Sequence, residues 1–291
     1  MDSEDSFAGC HLRHGRLSLV LAAILWSLAG VFIKFLSLHP LTIVFYRSFF
    51  ASAFFLSFRG RSASVPRYAL LLAMISYTAA ISTFVAANKL TTAANAIVLQ
   101  YTAPIFVFVL VRFLFHERIA GVNWMCLACG MSGILVIYLG SAGQPDAVGV
   151  VVALLSGAFF SFYMVSLRFL KAVHPGSLTF MMNLACWLIL LPFIGSELQV
   201  SLREFAILAV MGIVQLGIPY WLFSKGLETV ALQEASLIVL IEPVLNPLWV
   251  AVVVGEIPSK ATLTGGALII VSLGVRYVWQ RFGRSVSMGA G

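Results

Sequence analysis

Apolar stretches of membrane-spanning length recur along this chain from Leu17 onward, and that recurrence constrains the fold more than any single motif. A helix rises 1.5 Å per residue, so about 20 residues cover the roughly 30 Å hydrocarbon core of a bilayer. Only helices and closed barrels satisfy their backbone polar groups in that medium, and no segment shows the sustained period-2 alternation of a membrane barrel strand. Apolar residues make up 61% of the chain and charged residues 10%, against about a quarter charged in soluble domains. The sequence therefore describes an all-α integral membrane protein.

Ten spans are predicted, at 17–36, 41–58, 67–88, 93–115, 120–139, 147–169, 177–194, 204–225, 234–254 and 262–280. The links between them are short and carry Gly, Pro, Ser or charge, as at His39-Pro40 and over 140–145, so no soluble domain fits between spans. Residues 1–16, with Asp2, Glu4 and Asp5 ahead of Arg13 and Arg16, read as a disordered cytosolic lead, and 281–291 as a cytosolic tail. The apolar run at 17–36 is too long for the core of a signal peptide and is the first span. Lys and Arg are retained on the cytoplasmic side of a membrane. With the N-terminus inside, the outer segments hold only Lys34, Lys89, Arg203 and Lys260, Arg47 lies within span 2, and the other thirteen of the 18 basic residues fall inside. Both termini are thus predicted cytoplasmic, in a bacterial inner membrane, and the net charge of +7 needs no nucleic-acid partner. Cys126 and Cys129 form a C-x-x-C inside a span, where packing of small sulfur side chains between helices is the simpler reading than redox or metal chemistry. No metal or other cofactor is expected.

The segment 235–256 places a carboxylate, Glu242, near the middle of an apolar span, between Pro243 and Pro247. An earlier segment, 96–117, matches it: Pro104 stands 13 residues before Glu117, as Pro243 stands 13 before Glu256. After each Glu come a short polar turn and a glycine-containing span, with Gly130 and Gly133 in one half and Gly265, Gly266 and Gly274 in the other. The chain reads as two units of five spans, 17–139 and 147–280, and an odd number of spans per unit forces the second to enter the membrane from the opposite side.

Two five-span halves, each ending in P-x(12)-E, a turn and a Gly-containing span, resemble the EamA-type members of the drug/metabolite transporter superfamily. The resemblance covers about residues 17 to 280. It implies ten helices around a central cavity, with spans 3, 4, 8 and 9 closest to the pathway, spans 5 and 10 peripheral, and export of amino acids or other small metabolites. The second half has Gly255-Glu256 where the first has His116-Glu117.

An ionisable group inside a span marks a functional site unless a structural partner claims it. Glu242 is therefore the first candidate for solute binding or proton coupling, against the alternative of a carboxylate tied to a neighbouring group. Gln100 in span 4 and Asn246 in span 9 fall on related faces when the two halves are aligned through their prolines, and either could equally serve as interhelical glue. In that alignment Ala103 matches Glu242. Arg47 lies roughly 9 Å from the outer end of span 2. It reads either as a fork for a carboxylate or phosphate or as a long side chain reaching the interface. Trp26, Tyr77, Tyr101, Tyr163 and the mid-span amide Gln215 complete the candidate lining. Pro104, Pro219, Pro243 and Pro247 are candidate hinges.

These features predict a secondary transporter, an exporter of small metabolites such as amino acids, working by alternating access at a midplane site between the repeats. Its partners are then a small-molecule solute, the bilayer and a proton as coupling ion. An intramembrane protease or lipid transferase is the alternative, but all five histidines fall in termini or loops and no pair of acids shares a span core. An uncoupled facilitator or channel is the third reading.

Overall fold

The computed structural model describes residues 2–115, 121–141, 147–230, 235, 238–239 and 241–288. Among the described residues every regular element is helical. The elements are α1 (Asp2–Trp26), α2 (Ala29–Phe35), α3 (Pro40–Phe55), α4 (Arg67–Leu90), α5 (Ala93–Gln100), α6 (Ala103–Phe115), α7 (Gly121–Ser141), α8 (Ala147–Leu167), α9 (Pro175–Ile194), α10 (Leu202–Val210), a π-helical segment (Met211–Gly217), α11 (Ile218–Thr229), α12 (Ile241–Val254) and α13 (Lys260–Met288).

Among the described residues six helical stretches are long and apolar enough to cross a membrane: Arg13–Phe35, Pro40–Phe58, Arg67–Leu90, Ala147–Leu167, Pro175–Ile194 and Leu202–Thr229. Shorter apolar helices at Ala93–Val107, Ala128–Gly140, Ile241–Val254 and Lys260–Ser272 fall at the remaining predicted spans. Two boundaries differ from the sequence reading. The lead expected to be disordered is helical from Asp2, and the tail continues as helix to Met288. Neither segment contains a proline to stop it, and a helix nucleated in a span propagates outward at little cost.

Polar residues start the spans. His39 accepts from the Leu41 amide at 3.3 Å with Pro40 at the first helical position, and His174 accepts from the Gly176 amide at 3.2 Å with Pro175 in the same place. Proline costs nothing there, because its missing N–H would have no partner in the first turn. Thr92 caps α5 through Asn95, and Ser201 with Glu204 forms a reciprocal capping box on α10.

The spans pair in a consistent way. α4 packs along α8 and α1 along α11, while α3 pairs with α9 and α7 with α13. α8 also covers α5 and α6, as α12 covers α2. The α7 and α13 contact is backbone to backbone: a Cβ on Gly133 would come within 2.6 Å of the Gly265 carbonyl oxygen, and one on Gly265 within 2.5 Å of the Gly133 carbonyl oxygen. Without water to drive apolar association, such close approach supplies the packing that holds membrane helices together.

A side chain at this contact is expected to force the helices apart. Gly265→Val should destabilise the protein by about 1–3 kcal/mol, read as a lowered thermal midpoint in detergent. Gly274→Ala, whose Cβ would meet nothing within 4 Å, should unfold at the wild-type temperature.

Candidate solute site

Three interruptions in the helices shape the interior. Span 1 breaks at Ser27 and Leu28, between α1 and α2, and span 4 breaks at Tyr101 and Thr102, between α5 and α6. In span 8 the π segment precedes Pro219. Proline accounts for the second and third. Pro104 and Pro219 have no N–H for the carbonyls of Gln100 and Gln215 four residues back, and the Ile218 amide reaches instead to Ile213, five residues back. Gly157 of α8 presents no side chain to the carbonyls of Leu99 and Gln100, so α8 seats directly against the break in span 4.

A partly open cavity lies where these interruptions meet, its empty space about 740 Å³ with the open mouth included. Its polar wall is formed by Arg47, Gln100, Tyr101, Gln215 and Glu242. The remainder is apolar and aromatic, with Trp26, Ile81, Phe84, Phe160, Leu216, Tyr220 and Phe223 prominent. Few polar groups set in an apolar wall is the common make-up of a small-molecule site.

Glu242 sits in the first turn of α12 and is 7% exposed. The Tyr101 hydroxyl stands 2.6 Å from its Oε2 and 2.9 Å from the carbonyl oxygen of Val239. That carbonyl is the one Pro243 leaves without its helical donor, and the Glu242 amide also reaches it at 3.0 Å. Tyr101 thus joins the break in span 4 to the start of α12. A phenol carries one proton for these two oxygens.

Gln215 Nε2 donates to the Trp26 carbonyl, the last of α1, at 3.4 Å, and its Oε1 has no partner. Gln100 Nε2 donates to Ser156 Oγ at 2.8 Å, and Ser156 donates to the Ala80 carbonyl at 3.0 Å, tying spans 4, 6 and 3 together. Arg47 is 2% exposed, so it does not reach the interface. Its Nε has no hydrogen-bond partner, and no carboxylate pairs with it among the described residues. Gly212 admits the π segment against the backbone of Arg47, which brings this guanidinium beside Gln215 and Tyr220 in the wall.

Trp26, Arg47, Gln100, Tyr101, Gln215 and Glu242 therefore meet in one cavity, as their candidacy requires. Tyr77, Tyr163 and Asn246 do not line it. Tyr77 donates to Asn183 at 3.1 Å and meets the tilted ring of Tyr163 at 5.3 Å, and both pack against Tyr220, which carries the ring contact through to Trp26 at 4.9 Å. Asn246 is fully buried against Gly30 of α2, with neither amide atom paired. Gly30 of α2 lies over Asn246 and takes the place the cavity was expected to have. Of the candidate hinges, Pro219 and Pro243 stand in the first turns of α11 and α12, and only Pro247 lies inside a helix. Pro104 falls in the first turn of α6, and its side chain lies outside the described residues. Ile81, Phe84, Leu216 and Phe223 carry no polar atom that could separate cavity-lining from lipid-facing positions.

A second polar cluster lies away from the cavity, near the predicted outer ends of the spans. Glu256 pairs with Lys34 of α2 at 2.8 Å, and its other oxygen accepts from the Ala93 amide at the start of α5 at 2.6 Å. Lys34 also donates to the Thr91 carbonyl at 3.0 Å, and Lys89 donates to the Leu36 carbonyl. Lys34 is half of an ion pair that ties the end of span 9 to spans 1 and 4. Glu117 lies outside the described residues. Glu256→Ala should lower stability by about 1–2 kcal/mol through loss of both the pair and the helix cap. Combined with Lys34→Ala the losses should fall short of additivity, as a double-mutant cycle in thermal unfolding will read.

The profile of the EamA-like transporter family matches residues 13–139 and 147–277. An uncharacterized transporter of Archaeoglobus fulgidus is 29% identical over 271 residues, covering 92% of this chain and 97% of its own length. The pseudopaline exporter CntI of Pseudomonas aeruginosa is 28% identical over 186 residues, which are 62% of this chain and 64% of that protein. A crystal structure with 20% sequence identity superposes with a TM-score of 0.66 over 92% of this chain and 97% of that one, a likeness of fold. The family profile spans nearly all of both halves, and the chain belongs to the EamA-like transporter family.

Proposed function

We propose that the chain is a secondary transporter that exports small metabolites, amino acids among them, by alternating access, with Glu242 as the shared site for solute and coupling proton. The observation that carries this reading is the contact of Glu242 with Tyr101. When Glu242 is ionised, the Tyr101 hydroxyl donates to it, and Val239 keeps only the Glu242 amide. When Glu242 is protonated, its own O–H donates to the phenol oxygen and the tyrosine proton turns to Val239. One proton on the carboxylate thus changes which oxygen at the head of α12 is held by span 4. Among the described lining residues Tyr220 and Arg47 are the other titratable groups.

Support for two inverted five-span repeats comes from the packing. Exchange of the halves turns the pairing of spans 3 and 6 into that of spans 8 and 1, leaves 2 with 7 and 5 with 10 unchanged, and turns the cover of span 6 on span 4 into that of span 1 on span 9. The His-Pro starts of spans 2 and 7 are related in the same way. The Lys34 and Glu256 cluster would close the outer side in this state, and its rupture would accompany outward opening. The excess of basic residues in alternate loops supports cytoplasmic termini and an inner-membrane location. The direction of transport follows the name of one relative, an exporter.

The test is Glu242→Gln in proteoliposomes. Accumulation driven by a pH gradient should fall at least tenfold, and whatever downhill counterflow of the same solute remains should no longer vary with pH. Undiminished accumulation would remove the coupling role, and a wild-type protein indifferent to the gradient would be an uncoupled facilitator. Tyr101→Phe should retain less than half of the gradient-driven rate, because the carboxylate then loses its only hydrogen-bond donor from span 4.

A further inference from the structure

Arg47 is a formal charge in the cavity wall, and among the described residues nothing of opposite sign is bonded to it. It is 2% exposed, its Nε is unpaired, and the groups within electrostatic reach are Tyr77, Tyr220 and Cys186, all ordinarily neutral at pH 7. A buried charge kept for structure is built with its counterion, because burying it alone costs far more than a neutral side chain at the same place. An arginine that lines a cavity and lacks a partner is completed by what enters the cavity.

Glu242, with the Tyr101 hydroxyl, forms the other charged pole of the same space, and Tyr220 lies within electrostatic reach of both Arg47 and Glu242. Apolar side chains, Phe84, Phe160, Leu216 and Phe223, fill out the wall around these poles. Resting on the transport reading above, we propose that the cavity selects a zwitterion: one carboxylate on the Arg47 fork, an apolar body against the aromatic wall, and one ammonium at Glu242 and Tyr101. Arg47 is then the residue that sets specificity for the anionic end. The wall also argues against a phosphate ester, which carries close to two negative charges at neutral pH, whereas Arg47 is the sole cation among the described lining residues. The planar guanidinium matches a carboxylate in two parallel hydrogen bonds. The ammonium requires an ionised Glu242, so solute and proton compete for one carboxylate, while the hold of Arg47 on the other end is independent of that proton.

Phenylalanine, phenethylamine and 3-phenylpropanoate share one apolar body and differ only in which charges they carry. A second series, alanine, ethylamine and propanoate, repeats the comparison with a small body. Ligand-induced stabilisation of the full-length protein in nanodiscs is measured for both series. In wild type the zwitterion of at least one series should act at a tenfold or more lower concentration than either singly charged analogue. Arg47→Gln should weaken the zwitterion at least tenfold and abolish the effect of the acid, while leaving the amine within twofold of wild type; the retained amine response shows that the variant is folded. Arg47→Lys, which keeps the charge and loses the fork, should fall between. No zwitterion preference in either series, or an Arg47→Gln protein that binds the zwitterion like wild type, overturns the proposal. Counterflow separates this from failure of the transport reading. Flux of singly charged or neutral solutes alone sinks the zwitterion site and leaves transport standing, whereas no flux of any solute in the screen sinks transport itself.

Discussion

Hydrocarbon offers no hydrogen bonds, so each backbone carbonyl that loses its helical donor inside a span must find another partner within the protein. Much of this structure follows from where those carbonyls are and what takes them. Pro243 frees the Val239 carbonyl, and Tyr101 supplies a hydroxyl to it across the interior. The break in span 1 leaves the Trp26 carbonyl to the Gln215 amide. At the break in span 4, Thr102 turns both its amide and its hydroxyl back to the Leu99 carbonyl, at 3.1 and 2.7 Å. The interruptions are tolerable only where polar side chains gather, and gathered polar side chains in an apolar fold make a site. The cavity and the broken helices are two descriptions of one arrangement.

The two halves contribute unequally to that site. Ala103 and Glu242, matched in the alignment of the halves, both line the cavity, so the same place in the two scaffolds carries a methyl group on one side and a carboxylate on the other. Around them the supports correspond more closely: helices that start at or near the break, a proline in the first turn, and a flanking span laid over the joint. Each half brings its own polar groups to the wall, Arg47, Gln100 and Tyr101 from the first and Gln215 and Glu242 from the second.

Much of the helical architecture was legible because membrane spans announce themselves by length and hydrophobicity, and their order along the chain leaves little freedom. Glu242, Arg47, Gln100 and Gln215 were legible for the complementary reason, that a polar group in a span is costly enough to be noticed. Asn246 shows where that logic stops. Which neighbour covers a helical face depends on packing between distant spans, and a buried amide against Gly30 has the same sequence signature as one in a cavity. Tyr77 and Tyr163 went the same way, one layer behind the wall. The apolar lining was hidden because Phe, Leu and Ile look alike whether they face lipid or solute. The His-Pro starts of spans 2 and 7 carried a repeat signal in plain view, and their meaning as helix caps emerged only from the Nδ1 contacts.

The glycine contact between α7 and α13 has a mechanical meaning. Where each backbone rests on the other's carbonyl there is no side-chain layer to shear, and small displacements meet hard repulsion at once. Such a joint behaves as a weld and not as a bearing. If the halves rock, these two helices turn as a single post, and the give must come from the broken helices around the cavity, where proline has already removed donors from the ladder.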